Sequence, residues 1–542
     1  MKAVHRIVID YVSPLLPVRT GIADYSADLL PHLAARADLR LMALPDQPIA
    51  PALVERWRPV PSQSLIEQTG AGGRLPLYQM GNNRHHAAVR DLAFERPGVL
   101  TLHDVVLHHL LAESTLGRGD YRAYAAALAA DYGWVGEAVA GPRRWGGSSD
   151  ASLFSLPAHR SLLRRQRGVL VHSRWAAAAI AEDEPEIAVR VVPMGVPLPE
   201  PATAEATLAF RRRHGLPDGG PVLGSFGFQT RIKRTLTALA ALADPALAGA
   251  RLLVVGEVSP ELDFEAAARR FGVADRVVVT GFIDYDEFQA AIAACDLCVN
   301  LRYPTAGETS ASLLRVLACG RPAVVSDYAQ FAELPEAVAA KVPLIEVGDG
   351  GGIAEAAELA AVAADLLARP VRLQEMGEAA RDYVRRRHDP AAAAEAVVAA
   401  CRELAGREPL DGAPAPPPPP TTLTAASIAG EIRVAGAGCP WREGERRTLQ
   451  ITVTNHGPAR WLASHRGTGG VALEAQLHGS GGDLLAGRPW LALPVDLAAA
   501  EETTVELAVR RPPGPARLRI EPWLIGMANF PDLGSLAWEG EL

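Results

Sequence analysis

Between His5 and about residue 405, short apolar runs rich in β-branched residues alternate with longer Ala- and Leu-rich stretches. The apolar runs include His5–Asp10, GVLTL (98–102), GVLVHS (168–173), VRVVPMG (189–195), PVLGSFG (221–227), RLLVVGE (251–257), RVVVTGF (276–282), DLCVNL (296–301) and PAVVSD (322–327). These runs lack a polar–apolar alternation, which marks strands covered on both faces. Strands separated by amphipathic helices join through right-handed crossovers into parallel sheets. So long a stretch exceeds one sheet, and two doubly wound domains are expected, over residues 1–198 and 199–410. The PLPEPAT segment (197–203) interrupts the pattern and places the hinge. The last helix, about 388–405, can cross back onto the first domain.

A different pattern follows. The proline run within DGAPAPPPPPTTL (411–423) cannot donate backbone hydrogen bonds, and the segment reads as a semi-rigid polyproline spacer. Beyond it, RTLQITVTNHG (447–457), VALEAQLHG (471–479), TTVELAVRRPPG (503–514) and ARLRIEPWLI (516–525) alternate polar and apolar between turn residues. This predicts an antiparallel β-sandwich over 424–542, similar to the immunoglobulin-like modules of some bacterial glycan-processing proteins. The fold class expected is therefore α/β with two Rossmann-like domains followed by an all-β sandwich.

Composition narrows the partners. A formal charge of −8 argues against a nucleic-acid-binding surface. Arginine clusters at 164–167, 211–213 and 385–387 read as solvated helix ends, leaving weak peripheral membrane contact as the other option. The first residues carry neither the apolar core nor the cleavage site of a signal peptide, and no window reaches the length of a membrane span. Five cysteines in 542 residues suit a reducing compartment, so a cytoplasmic location is expected. Cys295 and Cys298 straddle a helix end and an apolar strand and read as core thiols rather than a metal pair.

In an open α/β sheet, ligands bind where the strands end, so the loops there hold the candidate site. Gly21 opens a helix after the first strand, and Gly81, Asn82 and Asn83 follow another. His103 and Asp104 end GVLTL, where a histidine can donate to a hydroxyl or a developing charge. In SFGFQTRIKR (225–234), Gly227 frees the backbone while Arg231 and Lys233 can meet a diphosphate. The turn Gly307-Glu308-Thr309-Ser310 leads into a helix, where backbone N–H groups and hydroxyls suit a phosphate. Helix capping explains the same three polar residues equally simply. Asp284-Tyr285-Asp286 looks like a metal-binding DxD motif, but with Glu287 it reads as a capping box. His108 and His109 lie on an Ala/Leu helix in acid-poor sequence, so no metal site is expected.

Taken in order, TGIADY, YQMGNN, TLHD, VHSRWA, VPMGV, FGFQTRIKRTLTAL, LLVVGE, RVVVTGFIDYDEF, ACDLCVNLR and GETSASLLRVLACGRPAVVSD resemble the family 4 retaining glycosyltransferases of GT-B fold. The resemblance spans roughly 5–405 and is most specific over 221–333. It implies a metal-independent hexosyltransferase with no cofactor, using a UDP- or GDP-sugar as donor and a glycan or lipid-linked molecule as acceptor. On this resemblance Lys233 and Arg231 contact the donor diphosphate, Gly307 to Ser310 cradle it, and Glu308 touches the donor sugar. Gly281 and Phe282 lie beside the base, while Gly21 and His103 approach the transferred sugar. One departure stands out. The family's paired glutamates align with Gly307 and Arg315, which leaves Glu308 a displaced, lone carboxylate facing Arg315. Met194 stands where relatives often carry histidine.

Two other functions compete. A nucleotide-sugar 2-epimerase on the same fold would need more carboxylates than Glu308 alone in the 303–320 window. A non-catalytic glycan-binding or scaffold protein would use the C-terminal tryptophans, Trp441, Trp461, Trp490, Trp523 and Trp538. Such residues stack on sugars when exposed and anchor sandwich cores when buried.

Overall fold

The computed structural model describes residues 6–67, 73–145, 152–344, 353–410, 422, 429–437, 441–457, 459–464, 470–479, 484–485, 490–524, 528–529 and 537–541. Most of the proline spacer, and residues 146–151 of the loop at 143–154, lie outside the described residues.

The first sheet has seven parallel strands: β1 (Val8–Val12), β2 (Asp38–Ala43), β3 (Val60–Pro61), β4 (Arg74–Met80), β5 (Val99–Leu102), β6 (Gly168–Val171) and β7 (Val189–Val191), in the order 3-2-1-4-5-6-7. The second has six: β8 (Val222–Phe226), β9 (Arg251–Val255), β10 (Val277–Val279), β11 (Leu297–Asn300), β12 (Ala323–Ser326) and β13 (Ala339–Val342), in the order 10-9-8-11-12-13. Every residue of β5, β6, β8 and β12 is buried, which is why those strands read as unbroken apolar runs. The strand order reverses between β1 and β4 in one sheet and between β8 and β11 in the other. A crevice opens at each such switch point, beyond the carboxyl ends of the strands.

The two halves share a core. Ile9, Tyr11, Leu29 and Leu33 of the first belong to the same apolar cluster as Val222, Phe226, Leu313 and Leu317 of the second. The helix Pro390–Leu404 joins them by packing on the helix Gly21–Ala34. The latter begins where Thr20 accepts hydrogen bonds from the N–H groups of Ile22 and Ala23.

Two antiparallel sheets complete the chain. One contains β14 (Gly430–Ala435), β15 (Arg446–Asn455) and β18 (Glu502–Arg510). The other contains β16 (Val471–Gly479), β17 (Trp490–Ala492), β19 (Ala516–Leu524), β20 (Ala528–Asn529) and β21 (Trp538–Glu541). Alternate residues of the two sheets meet in one core, with Leu449, Ile451 and Val453 against Val471, Leu473 and Ile520. Trp441 and Trp461 are buried in that core, and the rings of Trp490 and Trp523 pack together with centroids 5.4 Å apart.

The arginine clusters are largely engaged within the fold. Arg164 pairs with Glu184 at 2.7 Å, Arg211 donates to the Ala294 carbonyl at 2.7 Å, and Arg385 and Arg386 both pair with Asp382. Among the described residues, no helix is long and apolar enough to cross a membrane.

Candidate active site

The second half builds one wall from the ends of β8 and β11. Beyond Phe226 the chain turns at Gly227 with φ +88°, a conformation that suits glycine. A Cβ there would lie 2.7 Å from Lys233 Nζ and 3.8 Å from Ser312 Oγ, so the turn makes room for the ammonium group. Lys233 ends a short 3₁₀ turn, Arg231–Lys233, and its Nζ donates to the Phe226 carbonyl at 2.6 Å. Burial, and then the charge of Arg302, hold the Lys233 pKa well below its usual value, opposed by Glu308. Arg231 at the start of that turn is exposed.

Beyond β11 the loop carries Arg302, only 4 % exposed. Its Nε lies 2.6 Å from Glu308 Oε1. The other carboxylate oxygen of Glu308 accepts from Thr305 Oγ1 at 2.9 Å and from the Ala306 N–H at 3.1 Å. Gln330 braces the same loop, donating to Thr305 Oγ1 at 3.0 Å and to the Glu308 carbonyl at 2.7 Å. Ser310 caps the helix Ala311–Ala318 through the Leu313 N–H at 3.2 Å, with Thr309 half-buried between cap and carboxylate. Arg302 Nη1 is buried without a hydrogen-bond partner among the described residues. Lys233 and Arg302 thus form a cationic pair with donors to spare, which is the chemistry of an anion receptor.

The first half supplies the facing wall. His103 follows β5, is 5 % exposed, and directs both ring nitrogens inward, Nε2 to Gln79 Oε1 at 3.0 Å and Nδ1 to His172 Nε2 at 3.3 Å. Burial and the two neighbouring histidines depress its pKa, so the ring is neutral near pH 7. Asp104 is placed differently. Burial, then the charge of Glu308, raises its pKa to about 7 against the pull of the Asn82 N–H, which donates to Oδ2 at 2.8 Å. The Asn82 side chain is committed internally, to His109 Nδ1 at 3.0 Å and to the Leu110 N–H at 2.9 Å. Gly81 is packed so closely that a Cβ would lie 2.4 Å from Ile22 Cδ1. Gly21 stands at the exposed entrance of its helix.

The walls touch beside the site. The Val106 N–H donates to the Ala306 carbonyl at 2.9 Å, and a Cβ on Gly307 (φ +82°) would lie 2.7 Å from Val105 and 3.0 Å from Trp175. Farther out, Gly281 accepts from the Gly256 N–H at 2.9 Å, and Phe282 is 62 % exposed with the Arg19 guanidinium 4.6 Å from its ring centre.

One expectation is corrected. Glu308 does not face Arg315: the chain turns at Gly307 and folds the carboxylate back onto Arg302 and Thr305. Arg315, one turn into the following helix, crosses the cleft to Asp28 at 2.8 Å and lies over Tyr285, 5.0 Å from its ring centre. Asp284 caps its helix through the Glu287 N–H at 2.8 Å. The structure therefore gathers Lys233, Glu308, Gly227 and Gly307 to Ser310, with Asp104 beside them. It sets Gly281, Phe282 and Arg315 at the rim and turns the hydrogen-bonding atoms of His103 and Asn82 inward. Arg302 and Gln330 escaped sequence reasoning. The only signal for Arg302 is a cation directly after an apolar strand.

Both the fold and the second half of the chain have counterparts among known proteins. The sequence model described as "Glycosyl transferases group 1" matches residues 221–369. The chain is 35 % identical over 170 residues to 2-deoxystreptamine glucosyltransferase of Streptomyces kanamyceticus, covering 30 % of this chain and 43 % of that one. It is 31 % identical over 209 residues to 2-deoxystreptamine N-acetyl-D-glucosaminyltransferase of Streptomyces fradiae, covering 37 % and 48 %. The chain thus spans a little under half the length of these curated relatives. Anabaena HepE in complex with UDP superposes with a TM-score of 0.53 at 15 % identity, over 73 % of this chain and 100 % of that one. Sucrose-phosphate synthase of Thermosynechococcus elongatus gives 0.51 at 18 %, over 74 % and 99 %. The two-sheet part of the chain has the GT-B fold, and its 221–369 segment is similar in sequence to group 1 glycosyl transferases.

Proposed function

We propose that this chain is a glycosyltransferase that moves a hexose from a UDP- or GDP-sugar to a glycan or lipid-linked acceptor, with retention and without a metal. The observation that carries this reading is the placing of the desolvated Lys233 ammonium and buried Arg302 within electrostatic reach of one another at the switch point of the second sheet. In this role Lys233 and the free donor of Arg302 neutralise the diphosphate as it leaves, and charge built up there is stabilised most by donors already in place. The helix start at Ser310 adds a favourable dipole. Glu308, its carboxylate aimed by Arg302, Thr305 and Ala306, accepts from hydroxyls of the transferred sugar.

The likeness to family 4 enzymes supports a front-face course, in which the leaving phosphate takes the acceptor proton on the face it departs from. His103 contributes a neutral wall to the sugar pocket, and its neighbour Asp104, raised to a pKa of about 7, exchanges its proton near neutral pH. Gly21 leaves the first helix open toward the sugar, Phe282 and Gly281 meet the base at the rim, and Arg231 reaches the phosphates from outside. The likeness to family 4 enzymes and an immunoglobulin-like character of the sandwich belong to the same reading. Mass spectrometry of UDP- and GDP-sugars incubated with the purified chain tests it. Donor consumption by the wild type and its loss in a folded Lys233→Ala variant are expected; equal turnover by the variant would remove the phosphate assignment.

A further inference from the structure

We propose that the C-terminal β-sandwich positions the donor loop, and that it does so through Tyr303. This rests on the reading of the 302–310 loop as part of a donor site. Tyr303 directly follows Arg302, and its hydroxyl donates to the Ser464 carbonyl of the sandwich. Its ring is 6 % exposed and sits in a joint with Tyr328 of the second half and Ala472, Trp490 and Ala492 of the sandwich. Ala472 and Ala492 are direct cross-strand partners on β16 and β17, so two small side chains form a flat seat into which the tyrosines fit.

The seat is firm. Ser464 is pinned to its own module, because its N–H donates to the Leu493 carbonyl at 2.9 Å and its Oγ accepts from the Leu493 N–H at 2.6 Å.

From Tyr303 two short paths lead into the site. Its backbone N–H donates to the Ile232 carbonyl at 2.8 Å, one residue from Lys233. Its ring lies 5.7 Å from that of Tyr328, whose hydroxyl accepts from the Thr305 N–H at 2.7 Å, and Thr305 holds Glu308. One residue therefore touches both phosphate-facing segments and the appended module. A second tie, Arg460 to Glu182 at 3.0 Å, joins the sandwich to the first half at an exposed site. Exposed ion pairs contribute little, so among the described residues the Tyr303 joint is the attachment that bears on the loop.

This makes Tyr303 a positioning residue, and the full-length chain tests it. Tyr303→Phe removes the hydroxyl bond and keeps the ring, Ala492→Arg wedges the seat, and Arg460→Ala is the control. Hydrogen exchange of the peptide spanning 303–310, without ligand, and UDP affinity by calorimetry are measured on each. The first two variants should speed exchange in that peptide and weaken UDP binding, Tyr303→Phe by roughly fivefold, the effect of one lost hydrogen bond, and Ala492→Arg by at least as much. Amides of β15 and β19 should stay protected, which global loosening would not allow, and Arg460→Ala should behave as wild type. Unchanged exchange and unchanged UDP affinity in both variants would overturn the proposal. If the wild type binds neither UDP nor GDP while the loop still loosens, the donor reading fails and the mechanical link stands.

Discussion

Asp104 and Lys233 are the two groups whose protonation the fold displaces most usefully. Asp104 titrates near 7 because burial and Glu308 disfavour its anion. A carboxyl whose folded pKa is raised binds more protons folded than unfolded between its ordinary value and the raised one. Stability therefore falls as pH rises from about 4 toward 7. Asp104→Asn, which keeps an oxygen to accept from the Asn82 N–H, should lessen that fall in thermal melts recorded at pH 4.5 and 7.5. The same substitution should remove an inflection near pH 7 from the rate of donor turnover. Lys233 is displaced in the opposite sense, since burial and Arg302 disfavour its cation. An arriving diphosphate reverses that penalty, so at pH 9 UDP binding should draw a proton from the buffer. Binding heats measured in buffers of different ionisation enthalpy would show this dependence, and in Lys233→Ala it should vanish.

At the scale of elements, the donor loop depends on a turn that few residues can make. Gly307 combines φ +82° with a wall of Val105 and Trp175 against its α-carbon. Gly307→Ala should cost about 1–2 kcal/mol of stability from the left-handed backbone alone, read as a lower denaturation midpoint. It should also slow donor turnover, because the displaced loop carries Glu308. Adding Val105→Ala should restore turnover in part, since it relieves the contact but not the backbone strain.

This loop also shows what a sequence can and cannot disclose. Gly-Glu-Thr-Ser is readable because turning and capping are local chemistry, and β8 and β11 are readable because covered strands are mostly apolar and lack alternation. Gln330 is not readable, because its partners Thr305 and Glu308 come from a separate segment, and Arg302 is not, because only the folded loop brings Glu308 back onto it. Spacing along the chain sets Glu308 opposite Arg315. The turn at Gly307 decides otherwise, and spacing carries no trace of it.

At the scale of the whole molecule, the cleft is closed by contacts between residues far apart in sequence. Arg315 meets Asp28 across the halves, and Glu333 accepts from the Trp175 N–H at 2.6 Å. With the Arg315 and Asp28 side chains 15 % and 25 % exposed, removing one partner strands a shielded charge. Asp28→Ala should therefore lower stability by about 1–3 kcal/mol, seen in chemical denaturation. The sandwich acts at the same scale from the opposite side of the loop. The alternating strands foretold its existence, but its seat against Tyr303 depends on how the modules dock.

The central claim is that the cleft between the two sheets holds a nucleotide diphosphate against Lys233. Calorimetric titration of UDP and GDP into the wild type and into Lys233→Ala tests it most directly. Saturable binding of one nucleotide to the wild type, weakened about 100-fold or more in a variant with an unchanged melting profile, is the result predicted from a buried charge-assisted contact. Equal affinity in the two proteins would contradict it.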